Sequence, residues 1–233
     1  MADNQAGISQ GIKAGFPIFI GYFPMAMAFG LLGKAGGIAF IPTVSFSVLV
    51  FAGASQFMAL NLLTGGAAAA EIILATFLLN FRHLLMSASL AAHLKERKSR
   101  WLPLVAFGVT DETFAVASTL TDKPNAKFLL GLEGIAYSGW VAGTIAGYAV
   151  GASLPVSVQA SLGITLYAMF AAILVPQFQK SGSIVILALG SGVLHWLIRA
   201  LKVFSGGWSL IVAMVLTAVL GAIFMKNGDE QTQ

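Results

Sequence analysis

The chain has 233 residues, of which 58% are apolar and only 9% charged, where a soluble domain carries roughly a quarter. A mean hydropathy of +0.87 and a net charge of +4 on so few charges exclude a soluble enzyme, a disordered chain and a nucleic-acid-binding protein. With no cysteine, a disulfide scaffold, a thiolate metal site and a cysteine nucleophile are excluded too, leaving an integral membrane protein with several spans.

A spanning helix needs roughly 20 mostly apolar residues. Candidate segments lie at about 14–33, 41–63, 70–92, 102–120, 128–150, 156–176, 182–199 and 208–225. They use nearly the whole chain, so the expected fold is all-α. It is a polytopic membrane helix bundle of seven to eight hydrophobic segments in one integral membrane domain, 1–233. The runs are continuously apolar, whereas barrel strands would alternate every second residue.

The first segment holds Pro17 and Pro24. Each removes a backbone donor, which predicts a kink or a broken helix whose ends could contact substrate. Ala26-Met27-Ala28 resembles a cleavage site, but residues 1–10 carry no basic residue and more membrane follows, so a span is expected. In the second segment Ser55 and Gln56 offer donors and acceptors suited to a zwitterion, or to bonds between helices.

The third segment places Thr76, Asn80, His83 and Ser87 on one polar face, with Arg82 on the other side. An arginine facing lipid is costly, so Arg82 should find an anion, and Asp111 or Glu112 is the natural partner. The pair either ties helices together or lines the pathway and titrates. His83 is a proton carrier or a bond between helices. Lys95 to Arg100 form a basic loop that sets topology.

The fourth segment carries Asp111 and Glu112 at its centre, at about 2.5–3.5 kcal/mol each on the insertion scale. It must pair them within the bundle or dip in without crossing. A re-entrant 102–120 leaves seven spans and sharpens the basic-residue asymmetry, with a cytoplasmic C-terminus. In the fifth segment Gly139, Gly143 and Gly147 recur every four residues, a stripe for close helix packing or for lining a conduit. Glu133 and Tyr137 stand one turn apart, with Glu133 expected near an interface.

Glycines in segments one and five, each followed by Ile41-Pro42 or Leu154-Pro155 and then by a helix with His and Arg (Arg82-His83; His195 and Arg199), suggest two halves, about 12–120 and 128–226. An odd number of spans per half would make them inverted copies. Catalytic signatures such as HExxH, GxSxG or a Walker loop are absent, so no enzyme activity, cofactor or metal is expected. Transport would draw on an ion gradient or a partner.

Pro24 with Gly30, the run Phe51-Ala52-Gly53-Ala54-Ser55-Gln56-Phe57, Asn80-Phe81-Arg82-His83 and Thr110-Asp111-Glu112 together resemble the AzlC-type branched-chain amino acid exporter family. The resemblance is strongest over about residues 13–118. It implies efflux of leucine, isoleucine, valine and analogues across the bacterial cytoplasmic (inner) membrane. It also implies a separately encoded small AzlD-type membrane subunit, this chain being the large one. On that basis Ser55, Gln56, Asn80, Arg82, His83, Asp111 and Glu112 are the expected substrate-binding or coupling residues, with protons as the coupling ion. A non-transporting scaffold or assembly subunit, or a passive channel for small zwitterions, competes with this reading. A scaffold needs interface glycines but not paired charges at membrane depth.

Overall fold

A computed structural model describes residues 7–94, 99–120, 124–155, 182–201 and 206–229, with scattered positions between 157 and 178. The predicted segment 156–176 therefore lies largely outside the described residues, as do Lys95, Arg97, Lys98, Lys123, Lys180 and Lys202. The elements are α1 (Ile8–Ala35), α2 (Phe40–Leu49), α3 (Gly53–Thr64), α4 (Ala69–His93), α5 (Leu102–Gly108), α6 (Asp111–Ser118), α7 (Ala126–Val150), a 3₁₀ turn (Gly151–Ser153), α8 (Gly182–Ala200) and α9 (Gly206–Asp229). No strand occurs among the described residues. Among the described residues three helices, α1, α4 and α7, are long and apolar enough to cross a membrane. The chain forms two compact units, one of residues 1–57 and 79–166, the other of 58–78 and 167–233.

The first unit is built on α1 and α7. A Cβ placed on Gly11 would fall on Phe128 O, on Gly15 against Leu132 O and Ile135, on Gly139 against Phe19, on Gly143 against Phe23 O and Ala26, and on Gly147 against Met27. Each step up α1 matches a step up α7, so the two helices run parallel and touch along their whole length. Without side chains at the contact, backbones approach closely enough for dispersion and Cα–H contacts to hold helices that lipid does not push together. Gly139, Gly143 and Gly147 thus serve packing within the chain.

This contact also accounts for a departure from expectation. Pro17 and Pro24 do not break α1, which is one helix of 28 residues. A proline inside a helix costs about 3 kcal/mol, and here the full-length seat on α7 offsets it. Because α1 and α7 are parallel, segments one and five are not inverted copies of each other.

The break falls instead in the second segment, which does not cross. α2 starts beside the end of α1, with Gly33 facing Thr43, and runs back along α1 and α7. Its Phe46 meets Phe29, its Ser47 meets Thr144, and Phe51 beyond it meets Tyr22 at the middle of α1. α3 then returns the way α2 came: Gly53 lies against Trp140, and Phe57 again reaches Phe29. Gln56 Nε2 donates to Ser47 Oγ at 3.1 Å. In one continuous helix those residues would stand about 13 Å apart. The segment is a re-entrant hairpin.

Phe51 makes the turn with φ +42°, a left-handed conformation rare for a bulky residue. It is held there by Tyr137 and Tyr22, at ring distances of 5.1 and 6.1 Å. Tyr137 OH donates to Val48 O at 2.9 Å, satisfying a carbonyl freed at the end of α2.

The fourth segment is a second hairpin from the opposite side, as the re-entrant reading of 102–120 expects. Val105 packs with Leu129 and Leu132 near the start of α7. Further up, Gly108 lies on Glu133 and Phe107 on Tyr137. Thr110 reaches Tyr22, and α6 returns so that Ala117 rejoins Ala126 and Phe128. Thr110 caps α6 with a reciprocal bond to Thr113, and Thr113 Oγ1 also reaches Gly108 O across the turn at 3.2 Å. The second half of α4 runs antiparallel to α1, from Arg82 beside this tip to Leu90 and Leu94 in the lower cluster.

In the second unit α8 and α9 pack together, with Gly221 admitting Leu187. An apolar cavity of about 360 Å³ lies between them, lined by Leu187, Val193, Leu194 and Leu220 among others. His195 and Arg199 belong to this unit.

Candidate functional site

The two hairpin tips meet at Tyr22. Phe51 at one tip and Phe107 at the end of α5, beside the other, are 6.3 Å apart, and Tyr22, Tyr137 and Trp140 complete an aromatic cluster. Helix ends buried at membrane depth are tolerated because protein, not lipid, surrounds them. Such ends are where discontinuous helices of transporters hold cargo.

The polar groups gather on the α5–α6 tip. Arg82 Nη1 lies 2.9 Å from Asp111 Oδ2. Glu112 takes another partner, the buried hydroxyl of Tyr22, which also lies 2.8 Å from Thr110 Oγ1. The expected pairing of Arg82 with one of the two acids therefore selects Asp111, because successive residues at a helix start point in different directions. The ion pair is not sealed: Arg82 and Asp111 keep 34% and 28% of their side-chain exposure. Arg82 Nε is buried without a hydrogen-bond partner among the described residues, as is Asn80 Oδ1 on the other face of α4. A cation, an anion and spare bonding capacity thus converge at one depth. His83, next to Arg82 on α4, is half-buried.

Ser55 and Gln56 are placed elsewhere in role. Gln56, 1% exposed, donates to Ser47 and accepts from Trp140 Nε1 at 2.9 Å. Ser47 is bonded to Thr144, whose hydroxyl returns to Trp140 O. Ser55 Oγ donates to Ala52 O at 2.9 Å. The bonds of Gln56, Ser47 and Thr144 lock the first hairpin to α7, while the Ser55 bond is local to the start of α3. Only the fold could reveal this, since Ser47, Trp140 and Thr144 are distant in sequence.

Sequence reasoning underweighted two residues. Tyr22 reads as one more aromatic in an apolar span, yet it joins α1 to both tips. Glu133, expected near an interface, is 4% exposed and lies under Gly108.

The family profile described as AzlC protein matches residues 17–154. The chain belongs to the AzlC family. It is 33% identical over 242 residues to the inner membrane protein YgaZ of Escherichia coli, covering 98% of this chain and 96% of that protein. It is 35% identical over 219 residues to a membrane protein of Archaeoglobus fulgidus, covering 93% and 94%. The branched-chain amino acid transport protein AzlC of Bacillus subtilis is 27% identical over 210 residues, covering 89% and 80%. No solved structure matches the chain. The profile covers the AzlC-family chain from mid-α1 through α7, the elements that build both hairpins. It is a multi-pass helical membrane protein of a family related to branched-chain amino acid transport proteins.

Proposed function

We propose that the chain is a secondary transporter exporting branched-chain amino acids from the bacterial cytoplasm, coupled to protons and working with a small AzlD-type membrane subunit. One observation carries this reading: a partly exposed Arg82–Asp111 pair at the meeting point of two re-entrant hairpins, with Arg82 Nε left unpartnered among the described residues. A zwitterion needs a donor for its carboxylate, an acceptor for its ammonium and an apolar seat for its side chain. Arg82 supplies the first, Asp111 the second, and the aromatic residues of the tips the third. Substrate would divide the ion pair between its own two charges, so its binding is linked to the position of the α5–α6 hairpin. A passive structural bridge has no need of spare donors and acceptors in a membrane interior.

Counterflow of labelled leucine and valine in proteoliposomes, with and without the small subunit, tests this. Arg82→Ala and Asp111→Asn are each expected to abolish exchange while the protein still inserts. Wild-type exchange in both variants would reduce the pair to a tie between helices. Exchange of no branched-chain amino acid by the wild-type pair of subunits would remove the substrate assignment.

A further inference from the structure

Asp111 and Glu112 have partners in Arg82 and Tyr22; among the described residues Glu133 on α7 has none. Both of its carboxyl oxygens are buried and without a hydrogen bond, in a side chain only 4% exposed. Glu133 lies seven residues into the span, about 10 Å along the axis. Its cover is Gly108: a Cβ there would stand 2.5 Å from Glu133 Oε2 and 2.8 Å from its Cδ, so the end of α5 rests directly on the carboxyl. Leu129, Leu132, Val105 and Val109 are buried in the adjoining cluster, and the Thr113 hydroxyl of the same hairpin turn donates to Gly108 O.

The ionisable groups on the surrounding elements are committed elsewhere. Lys13 of α1 and Lys127 of α7 are exposed, and Tyr137 of α7 donates to Val48 O. Asp111 and Glu112 of α6 bind Arg82 and Tyr22, α5 carries no ionisable side chain, and neither Arg82 nor His83 of α4 bonds to Glu133. An isolated carboxylate in a dry interior is so costly that such a group takes up a proton instead. The residue lying on it belongs to the same hairpin that presents Asp111 to the cargo site.

We propose that Glu133 is a membrane-buried proton-binding site, loaded while Gly108 covers it and emptied when the α5–α6 hairpin withdraws, and that it carries the proton of the transport cycle. Proton loading stands on Glu133 and Gly108 alone; only the carrier role rests on the transport reading above. The reaction is one proton bound by one carboxylate oxygen and released to water, with no other bond changed. Emptying exposes a negative charge beside a hairpin whose tip binds a zwitterion, which links proton release to substrate movement through a single rigid element.

Two measurements on the full-length protein test it. The infrared spectrum at neutral pH should contain a protonated-carboxyl band that vanishes in Glu133→Gln, whatever the cargo is; a spectrum unchanged by the substitution overturns the site. In proteoliposomes, Glu133→Gln keeps the neutral shape and should retain amino acid counterflow while losing the component driven by an imposed pH gradient. A gradient response equal to wild type overturns the carrier role. Loss of the infrared band in a protein that moves no branched-chain amino acid would keep the proton site and discard the substrate assignment. If Glu133→Gln fails to fold, carbodiimide labelling of wild-type protein decides the same point. An adduct on Glu133 that fades as pH rises is expected, and its absence throughout overturns the proposal.

Discussion

The contact between α1 and α7 can be tested by paired alanine substitutions. On Gly147 a Cβ would stand 2.5 Å from the Cα of Met27, whereas on Gly134 it meets nothing within 4 Å. Carbon atoms rest at about 3.5–4.0 Å, so Gly147→Ala must part the two helices locally by about 1 Å. The obstacle is backbone and cannot rotate away, and overpacking of this kind costs about 1–3 kcal/mol. Both substitutions gain the same helix propensity, about 1 kcal/mol, which cancels between them. Gly134→Ala should therefore be neutral or stabilising and Gly147→Ala weaker than it by about 1–3 kcal/mol. For a chain of this length each kcal/mol moves the midpoint by about 2–4 °C. Thermal unfolding in detergent, read by size-exclusion of the soluble fraction, should separate the two variants by several degrees. A Gly147→Ala midpoint equal to or above that of Gly134→Ala would refute the parallel glycine seam.

The protein's lack of cysteine makes single-cysteine labelling direct. Lys34→Cys and Arg100→Cys should label from opposite sides of the membrane, since only α4 crosses between them. Labelling from the same side would restore 41–63 as a full span. Lys13, Arg100 and Lys127 lie on one side of the first unit and Lys34 on the other, so the positive-inside rule places Arg100 in the cytoplasm and Lys34 outside. Gln56→Leu strands Trp140 Nε1, at about 1–3 kcal/mol, while Ser47 keeps its bond to Thr144. Stability should fall while exchange per folded molecule is retained, and loss of exchange in fully folded protein would return Gln56 to the cargo site. Tyr22→Phe removes the hydroxyl between α1 and the α5–α6 tip, leaving Glu112 without that donor, and should slow exchange and lower stability by about 1–3 kcal/mol. Unchanged exchange would show that Glu112 needs no anchor.

What the sequence determined by itself is whatever hydropathy and local chemistry encode. The apolar runs specify membrane helices. The glycines at four-residue spacing specify close packing, and charges too costly for lipid specify that Arg82 must find an acid. The second hairpin is legible too, because Asp111 and Glu112 make a full crossing unfavourable and Thr110 is a strong helix start. The first hairpin is not. Leu49, Val50, Phe51 and Ala52 continue an apolar run without a proline or a charge, and the turn exists because aromatic rings from α1 and α7 hold Phe51 in a strained conformation. The prolines of α1 mislead for the same reason in reverse, since a neighbouring helix compensates what the local chain would not tolerate. Tertiary structure alone decided that Asp111 rather than Glu112 meets Arg82, that Gln56 is spent on Trp140 and Ser47, and that Glu133 lies alone under a glycine. Each depends on groups tens of residues away arriving at one depth, and hydrogen-bond satisfaction is a property of that arrangement rather than of any segment.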